Sequence, residues 1–236
     1  MQLYIGNKNY SSWSLRPWLL MTQAGIEFEE IKLRLDWDAA SRFKTTLLGL
    51  APTGRVPLLV DDGFAVWDSL AIVEYLAEKF PARRIWPAET KARARARSLC
   101  AEMHSGFSAL REHFPMNIEA SLRELGLRRP GELPALAADL RRIETMWTEQ
   151  LAATGGPFLF GEFSAADAFY APVCARLRTY APAVAAETAA YVERVYALPS
   201  MQAWCAAALA EKDFIAEDEP YRQSADGAAV DATSDA

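Results

Sequence analysis

The sequence predicts two units of different class, a small mixed α/β unit over residues 1–80 and an all-α unit over 89–212, joined by a linker at 81–88. Three observations carry this division. Short apolar runs alternate with helical patterning over the first 80 residues, Pro81 and Pro87 then punctuate the chain, and beyond them apolar residues recur at a 3.6-residue period almost without interruption.

The elements follow in order. Leu3-Tyr4-Ile5 suits a buried strand. A helix over 14–24 places Leu15, Trp18, Leu19 and Thr22 at helical spacing and ends at Gly25. Residues 26–33 mix Phe28, Ile31 and Leu33 with glutamates, as a half-exposed strand does. A weaker helix at 38–48 and a loop at 49–54 lead to Arg55-Val56-Pro57-Leu58-Leu59-Val60. Asp61-Asp62-Gly63 is a hairpin signal, with 64–67 as the returning strand. Ser69 then caps a helix that turns Leu70, Ile72, Val73, Leu76 and Phe80 toward a core. The result is a βαβ unit followed by a ββα unit, a mixed sheet covered by helices.

In the second unit one long helix over 90–113, stopping before Pro115, aligns Leu99, Met103, Phe107 and Leu110. Another follows Pro134 with Leu136, Leu140, Ile143 and Trp147, and is broken by Gly155-Gly156-Pro157. Shorter helices fit 164–179, 183–198 and 200–210. Residues 213–236 form an extension whose end, from about Ser224, is too poor in apolar side chains to order itself.

Composition bounds the function. Hydrophobic residues at 51% and charged residues at 24% describe a soluble globular protein, and a net charge of -6 points away from nucleic acid and anionic membrane. No apolar run approaches the roughly 18 residues of a spanning helix, and no signal pattern opens the chain, which favours the cytoplasm. Cys100, Cys174 and Cys205 lack paired spacing and read as small buried hydrophobes. His104 and His113 are the only histidines and have no ligand spacing, so no metal is expected. Arg93, Arg95 and Arg97 read as a solvated helix face.

The stretch that carries chemistry is Asn9-Tyr10-Ser11-Ser12-Trp13-Ser14-Leu15-Arg16-Pro17-Trp18, where a strand hands over to a helix amid hydroxyl groups. Serines at a helix start cap backbone amides, and the same dipole end suits an anion or a thiolate. No glycine-rich phosphate loop follows the first strand, so a nucleotide cofactor is not expected.

The whole resembles the cytosolic glutathione transferases, over residues 2 to about 212: a thioredoxin-like N-terminal domain, a proline-containing linker and a helical C-terminal domain. Val56-Pro57 matches that family's cis-proline loop, Asp68-Ser69 its acidic-plus-serine pair before the third helix, and Ser164-Ala165-Ala166-Asp167 its helical-domain capping box. Ser11-Ser12-Trp13-Ser14-Leu15-Arg16 is similar to the zeta-class Ser-Ser-Cys-x-x-Arg signature, which makes this a bacterial, zeta-like type. Trp13 stands where that signature has cysteine, so a cysteine mechanism is absent there.

The resemblance implies glutathione as co-substrate, a homodimer and no metal. It makes Ser11, and next Ser12, the hydroxyl that stabilises the glutathione thiolate. Lowering a thiol of pKa about 8.5 by roughly two units takes about 2.7 kcal/mol. One charge-assisted hydrogen bond supplies about 1.5 to 3 kcal/mol and a helix N-terminus about 0.3 to 1 kcal/mol, so no general base is needed. Val56, preceding Pro57, offers its backbone to the peptide, Ser69 takes the γ-glutamyl carboxylate, and Asp68 pairs with the amine. Arg55 reaches the glycyl carboxylate, with Arg42 or Lys44 as substitutes, and Arg16 braces the site. The second substrate lies between the domains, against Met103, His104, Phe107 and Arg111, with Tyr10 or Trp13 from the loop. Thiolate transfer to a small electrophile is the first expectation. A zeta-like cis-trans isomerase of maleylacetoacetate and a non-catalytic binding protein are the alternatives.

Overall fold

The computed structural model describes residues 1–224. The tail predicted to be unordered lies outside them from residue 225. Four short strands, β1 (Gln2–Ile5), β2 (Glu29–Lys32), β3 (Leu58–Asp61) and β4 (Phe64–Trp67), form one sheet in the order β2-β1-β3-β4. β1 and β2 are parallel and joined through helix α1 (Ser12–Gln23), whereas β3 runs antiparallel to both β1 and β4. Asp62 and Gly63 both take positive φ, 48° and 83°, which the tight β3–β4 hairpin requires. Helix α2 (Arg42–Leu48) precedes the hairpin, and α3 (Ser69–Lys79) follows it. The Val56-Pro57 peptide is cis.

The rest of the chain is helical: α4 (Thr90–Ser105), α5 (Ser108–His113), α6 (Arg123–Glu132), α7 (Pro134–Thr154), α8 (Ala165–Tyr180), α9 (Ala186–Tyr196) and α10 (Pro199–Glu211). A 3-10 turn, Pro81–Arg83, occupies the segment read as linker.

Three details differ from the expectation. The helix expected over 90–113 breaks at Gly106 and Phe107, where Phe107 takes φ 56°. The Arg111 guanidinium folds back onto the carbonyls of Met103, His104 and Gly106 at that break. Second, α6 escaped detection because its sequence, with Gly126 and Pro130, has few apolar residues and poor helix formers. Its Gly126 is required by close approach, since a Cβ there would lie 1.7 Å from the Tyr180 carbonyl oxygen. Third, Asp68 rather than Ser69 caps α3, accepting the Leu70 N–H at 2.8 Å.

Helix α8 is the centre of the molecule. All its residues except Arg178 are buried, and it packs on α1 of the first unit as well as on α4 and α9. Asp167, fully buried in its first turn, accepts the Ser164 N–H (2.9 Å), the Leu159 N–H (3.0 Å) and the Tyr191 hydroxyl (2.8 Å). The predicted capping box is therefore also the knot that ties the 155–164 segment and α9 to α8.

Cys100 and Cys174 are buried and Cys205 is half-buried, and burial pushes all three thiols up, that of Cys205 to about 11. Arg97 is exposed and forms a bidentate surface pair with Glu74 at 2.8 and 2.9 Å. Among the described residues no group of His, Cys, Asp or Glu is placed to hold a metal, and no helix is long and apolar enough to cross a membrane.

Replacing Asp167 by Ala strands four buried donors, the Ser164 hydroxyl among them, at about 1 to 3 kcal/mol each. Urea unfolding of D167A is expected to show a loss of at least about 3 kcal/mol, with D167N, which keeps one acceptor oxygen, losing less. A loss within about 0.5 kcal/mol for D167A would place the stability of this junction elsewhere.

Candidate active site at the start of α1

A cavity of about 480 Å³ opens between the two units. From the first it takes Tyr10, Ser11, Ser12, Trp13, Leu35, Trp37, Phe43, Lys44, Arg55 and Val56; from the second, Arg111, Pro115, Met116 and Arg176; and from the segment after α10, Asp218.

The serines sit on a loop that is polar yet buried from Asn7 to Ser12, so its backbone needs internal partners. The Asn7 carbonyl accepts the Tyr10 and Ser11 N–H groups and the Tyr10 carbonyl that of Ser12, and the other partners come from distant chain. Glu211, closing α10, accepts the Lys8 N–H at 2.8 Å and the Asn9 N–H at 3.3 Å. The Trp204 indole donates to the Lys8 carbonyl at 3.0 Å, and the Asn9 side chain accepts the Glu119 N–H at 2.9 Å. Residues 212–222, in the stretch read from sequence as a mere extension, form a strap across this loop. Asp213 accepts from Asn7 Nδ2, and Glu219 accepts from the Tyr10 hydroxyl, both through one carboxylate oxygen. Burial, and then Glu219, push the Tyr10 phenol well above its ordinary range.

The two serines differ in engagement. Ser11 donates its hydroxyl to Ser14 Oγ at 2.7 Å, and Ser14 Oγ also accepts the Gly6 N–H. The Ser12 hydroxyl makes no hydrogen bond to a described residue and faces the cavity, on the first residue of α1.

Trp13 forms the partition behind them. Its ring lies 4.1 Å from the Arg16 guanidinium and 4.8 Å from that of Arg111, and meets the His104 ring edge-on at 5.2 Å. Arg16 is fully buried and reaches Ser69 Oγ at 3.4 Å, while His104 Nε2 pairs with Asp68 Oδ2 at 3.2 Å. Burial, then the charges of Arg111 and Arg176, lower the pKa of Arg16, and its Nε and Nη2 have no hydrogen-bond partner among the described residues.

The structure thus gathers Tyr10, Ser11, Ser12, Trp13, Arg55, Val56 and Arg111 on one cavity. Asp68 and Ser69 do not line it; they adjoin it through Trp13, Arg16 and His104. Pro57 lies beneath its neighbour Val56. Two expected pocket residues are core instead. Met103 is completely buried, and Phe107 is buried as the left-handed residue that turns α4 into α5. Their spacing reflects packing on α8, not a wall.

Sequence reasoning missed Trp37, Phe43, Arg176 and Asp218. Arg176 had a signal, as a charge within the apolar run that fills the middle of α8. Its Nε donates to the Phe114 carbonyl (2.8 Å) and Nη1 to the Pro172 carbonyl (3.3 Å). Burial, reinforced by Arg111, lowers its pKa to about 9.

Comparison with known proteins shows what the two units are similar to. Residues 10–79 match the family model described as glutathione S-transferase, N-terminal domain, and 91–207 the one described as glutathione S-transferase, C-terminal domain. Maleylacetoacetate isomerase of Rattus norvegicus is 28% identical over 75% of this chain and 78% of its own. The mouse enzyme of the same name is 32% identical, over about half of its length (49%). A Burkholderia glutathione transferase homologue with bound glutathione superposes with a TM-score of 0.65 at 26% identity, covering 89% of this chain and 98% of its own. A maleylacetoacetate isomerase from Methylobacterium extorquens with bound malonate and glutathione does so with a TM-score of 0.61 at 28% identity, covering 86% and 95%.

The strap carries its own pH dependence. Burial, then Glu217 and Glu219, raise Asp218 to about 6, so the docked strap favours the protonated carboxyl. Its docking is fully stabilised below the ordinary aspartate range and weakens as pH rises through about 6. Hydrogen exchange of residues 215–222, corrected for intrinsic rates, is expected to be slower near pH 5 than near pH 7.5, and D218N to abolish the difference. Equal protection at both values would refute this.

Proposed function

The chain belongs to the glutathione S-transferase family, and we propose that it carries glutathione across the start of α1 and delivers the thiolate to a small electrophilic carbon by displacement or addition. The observation that carries this reading is the pair of buried serines on the cavity wall at a helix N-terminus, with Val56 and Arg55 on the same wall.

The sulfur's donor is Ser12. Ser11, the first choice from sequence, spends its hydroxyl on Ser14, whereas that of Ser12 is unengaged and can donate to a thiolate without breaking a bond. Ser11 then holds the loop in place through Ser14 and Gly6. Val56 offers main-chain groups to the peptide, and Arg55 with Lys44 receives the glycyl carboxylate. Ser69 receives the γ-glutamyl carboxylate, where the buried charge of Arg16 adds attraction. Asp68 pairs with the amine while capping α3. A homodimer and a cytoplasmic location belong to the same proposal. The edge strand β4, with Phe64 63% and Trp67 42% exposed, favours pairing of two copies. Light scattering at two concentrations checks it.

A second reading, cis-trans isomerisation of maleylacetoacetate by reversible thiol addition, is favoured by the 28% identity to the rat enzyme. Turnover of maleylacetoacetate decides it, since good glutathione binding without turnover rejects this reading and leaves the first.

Removing the Ser12 hydroxyl is expected to raise the pKa of bound glutathione by about one to two units, followed by thiolate absorbance in the ultraviolet, and to lower kcat/KM about ten- to hundredfold at neutral pH. S11A is expected to cost less in thiol pKa. The reverse order of the two variants would return the role to Ser11, and no glutathione binding by calorimetry in the unaltered protein would sink the transferase reading itself.

A further inference from the structure

Of the described residues that wall the cavity, Asp218 alone is acidic. Its carboxyl makes no hydrogen bond or ion pair with a described residue, and Oδ2 is buried. We propose that Asp218 is the general acid of an addition reaction, protonating the carbonyl oxygen of a conjugated enone or enal while the glutathione sulfur bonds to the far alkene carbon.

Three observations support this. The first is placement. Asp218 donates its N–H to the carbonyl of buried Ile215 at 3.0 Å. The next residue, Glu219, accepts the Tyr10 hydroxyl and Arg222 Nε, each at 2.8 Å, and Tyr221 donates its hydroxyl to the His113 carbonyl at 2.8 Å. The strap is thus pinned on both sides of Asp218, one residue from its contact with the loop that carries Ser11 and Ser12. The second is charge. Burial, then Glu217 and Glu219, raise the Asp218 carboxyl to about 6, close to neutral pH, where a general acid is most effective. Lys44, Arg55, Arg111 and Arg176 line the same cavity and favour the carboxylate that remains once the proton has left. Third, the Tyr10 hydroxyl on the same wall is already given to Glu219, and its phenol lies well above the ordinary range.

The step balances without a further reactant. A sulfur lone pair forms the C–S bond, the alkene pair moves to the bond next to the carbonyl carbon, and the carbonyl π pair takes the Asp218 proton. The resulting enol returns to the ketone in water, and the Asp218 carboxylate regains from solvent a proton equal to the one the thiol released. Displacement of chloride from an aromatic ring makes no such demand, because the halide departs with its electron pair and no proton.

The proposal rests on the transferase reading, and the two fail separately. Turnover of benzylideneacetone, by addition, and of chlorodinitrobenzene, by displacement, is measured on the full chain with glutathione across the pH range around 6. The ratio of the two kcat values cancels the thiol ionisation common to both, and is expected to fall as pH rises through about 6. D218N keeps the neutral form that docks the strap but supplies no acidic proton. It is expected to lower that ratio about ten- to hundredfold on the acid side and to make it independent of pH. Addition by the unaltered chain is also expected to slow in heavy water, and D218N to lose that effect. A ratio that is flat with pH in the unaltered chain, or unchanged in D218N, overturns the general acid; two activities lowered together would mark a strap that only shapes the cavity. Displacement with no addition overturns it as well and leaves the transferase reading standing, whereas no glutathione binding by calorimetry overturns both.

Discussion

The carboxylate of Glu211, accepting the amide groups of Lys8 and Asn9, is the contact on which the active-site geometry depends. A loop that is buried and polar must satisfy its backbone; its own turn serves the Tyr10, Ser11 and Ser12 amides, which leaves those of Lys8 and Asn9 to distant acceptors. The last turn of α10 supplies the acceptor, the Trp204 indole a donor, and the strap holds the flanking Asn7 and Tyr10 side chains. Lys8 is buried at the same point, paired with Glu30 at 2.8 Å and set over the rings of Trp18 and Trp204. The serines are therefore positioned by residues some two hundred positions away, and the first unit presents its chemistry only when the second is docked.

Charge is distributed against the net balance. The chain carries an excess of acidic residues, yet Lys44, Arg55, Arg111 and Arg176 line the cavity and Arg16 lies directly behind it. The carboxylates near the loop, Glu211, Asp213 and Glu219, are consumed by backbone amides, Asn7, Tyr10, Lys32, Arg34 and Arg222. These three acidic groups thus stabilise the frame, while four cations, with Asp218 the one acidic lining residue, face the cavity. This division suits a co-substrate with two carboxylates and a thiol that must ionise.

What the sequence disclosed follows the range of its signals. Local patterns such as the Asp61–Gly63 hairpin, the Ser164–Asp167 box and the Val56-Pro57 turn were legible because each is fixed by neighbours within a few positions. The break at Gly106-Phe107 was not, since the apolar period continues through it and only packing shows that Phe107 turns left-handed. Helix α6 was hidden because Gly126 is placed by its approach to Tyr180 and not by helix propensity. At the site, Ser11, Ser12, Arg55 and Val56 could be named from motif order, but Arg176 and Asp218 arrive from α8 and the strap. Their place on the cavity is a product of tertiary docking that no spacing encodes.

Trp13 gives the replacement of cysteine a physical consequence beyond the loss of a thiol. An ionisable thiol at this position would have met the charges of Arg16 and Arg111 as a thiolate and neutralised part of them. The indole instead faces both guanidinium groups, at 4.1 and 4.8 Å, and the Phe169 ring adds a second face to Arg16 at 4.9 Å. Aromatic faces reduce the cost of burying a cation without supplying a counterion that a ligand has to displace. The rings thereby offset part of the cost that burial imposes on these guanidinium groups at the junction of the glutathione cavity and the Asp68–Ser69 corner.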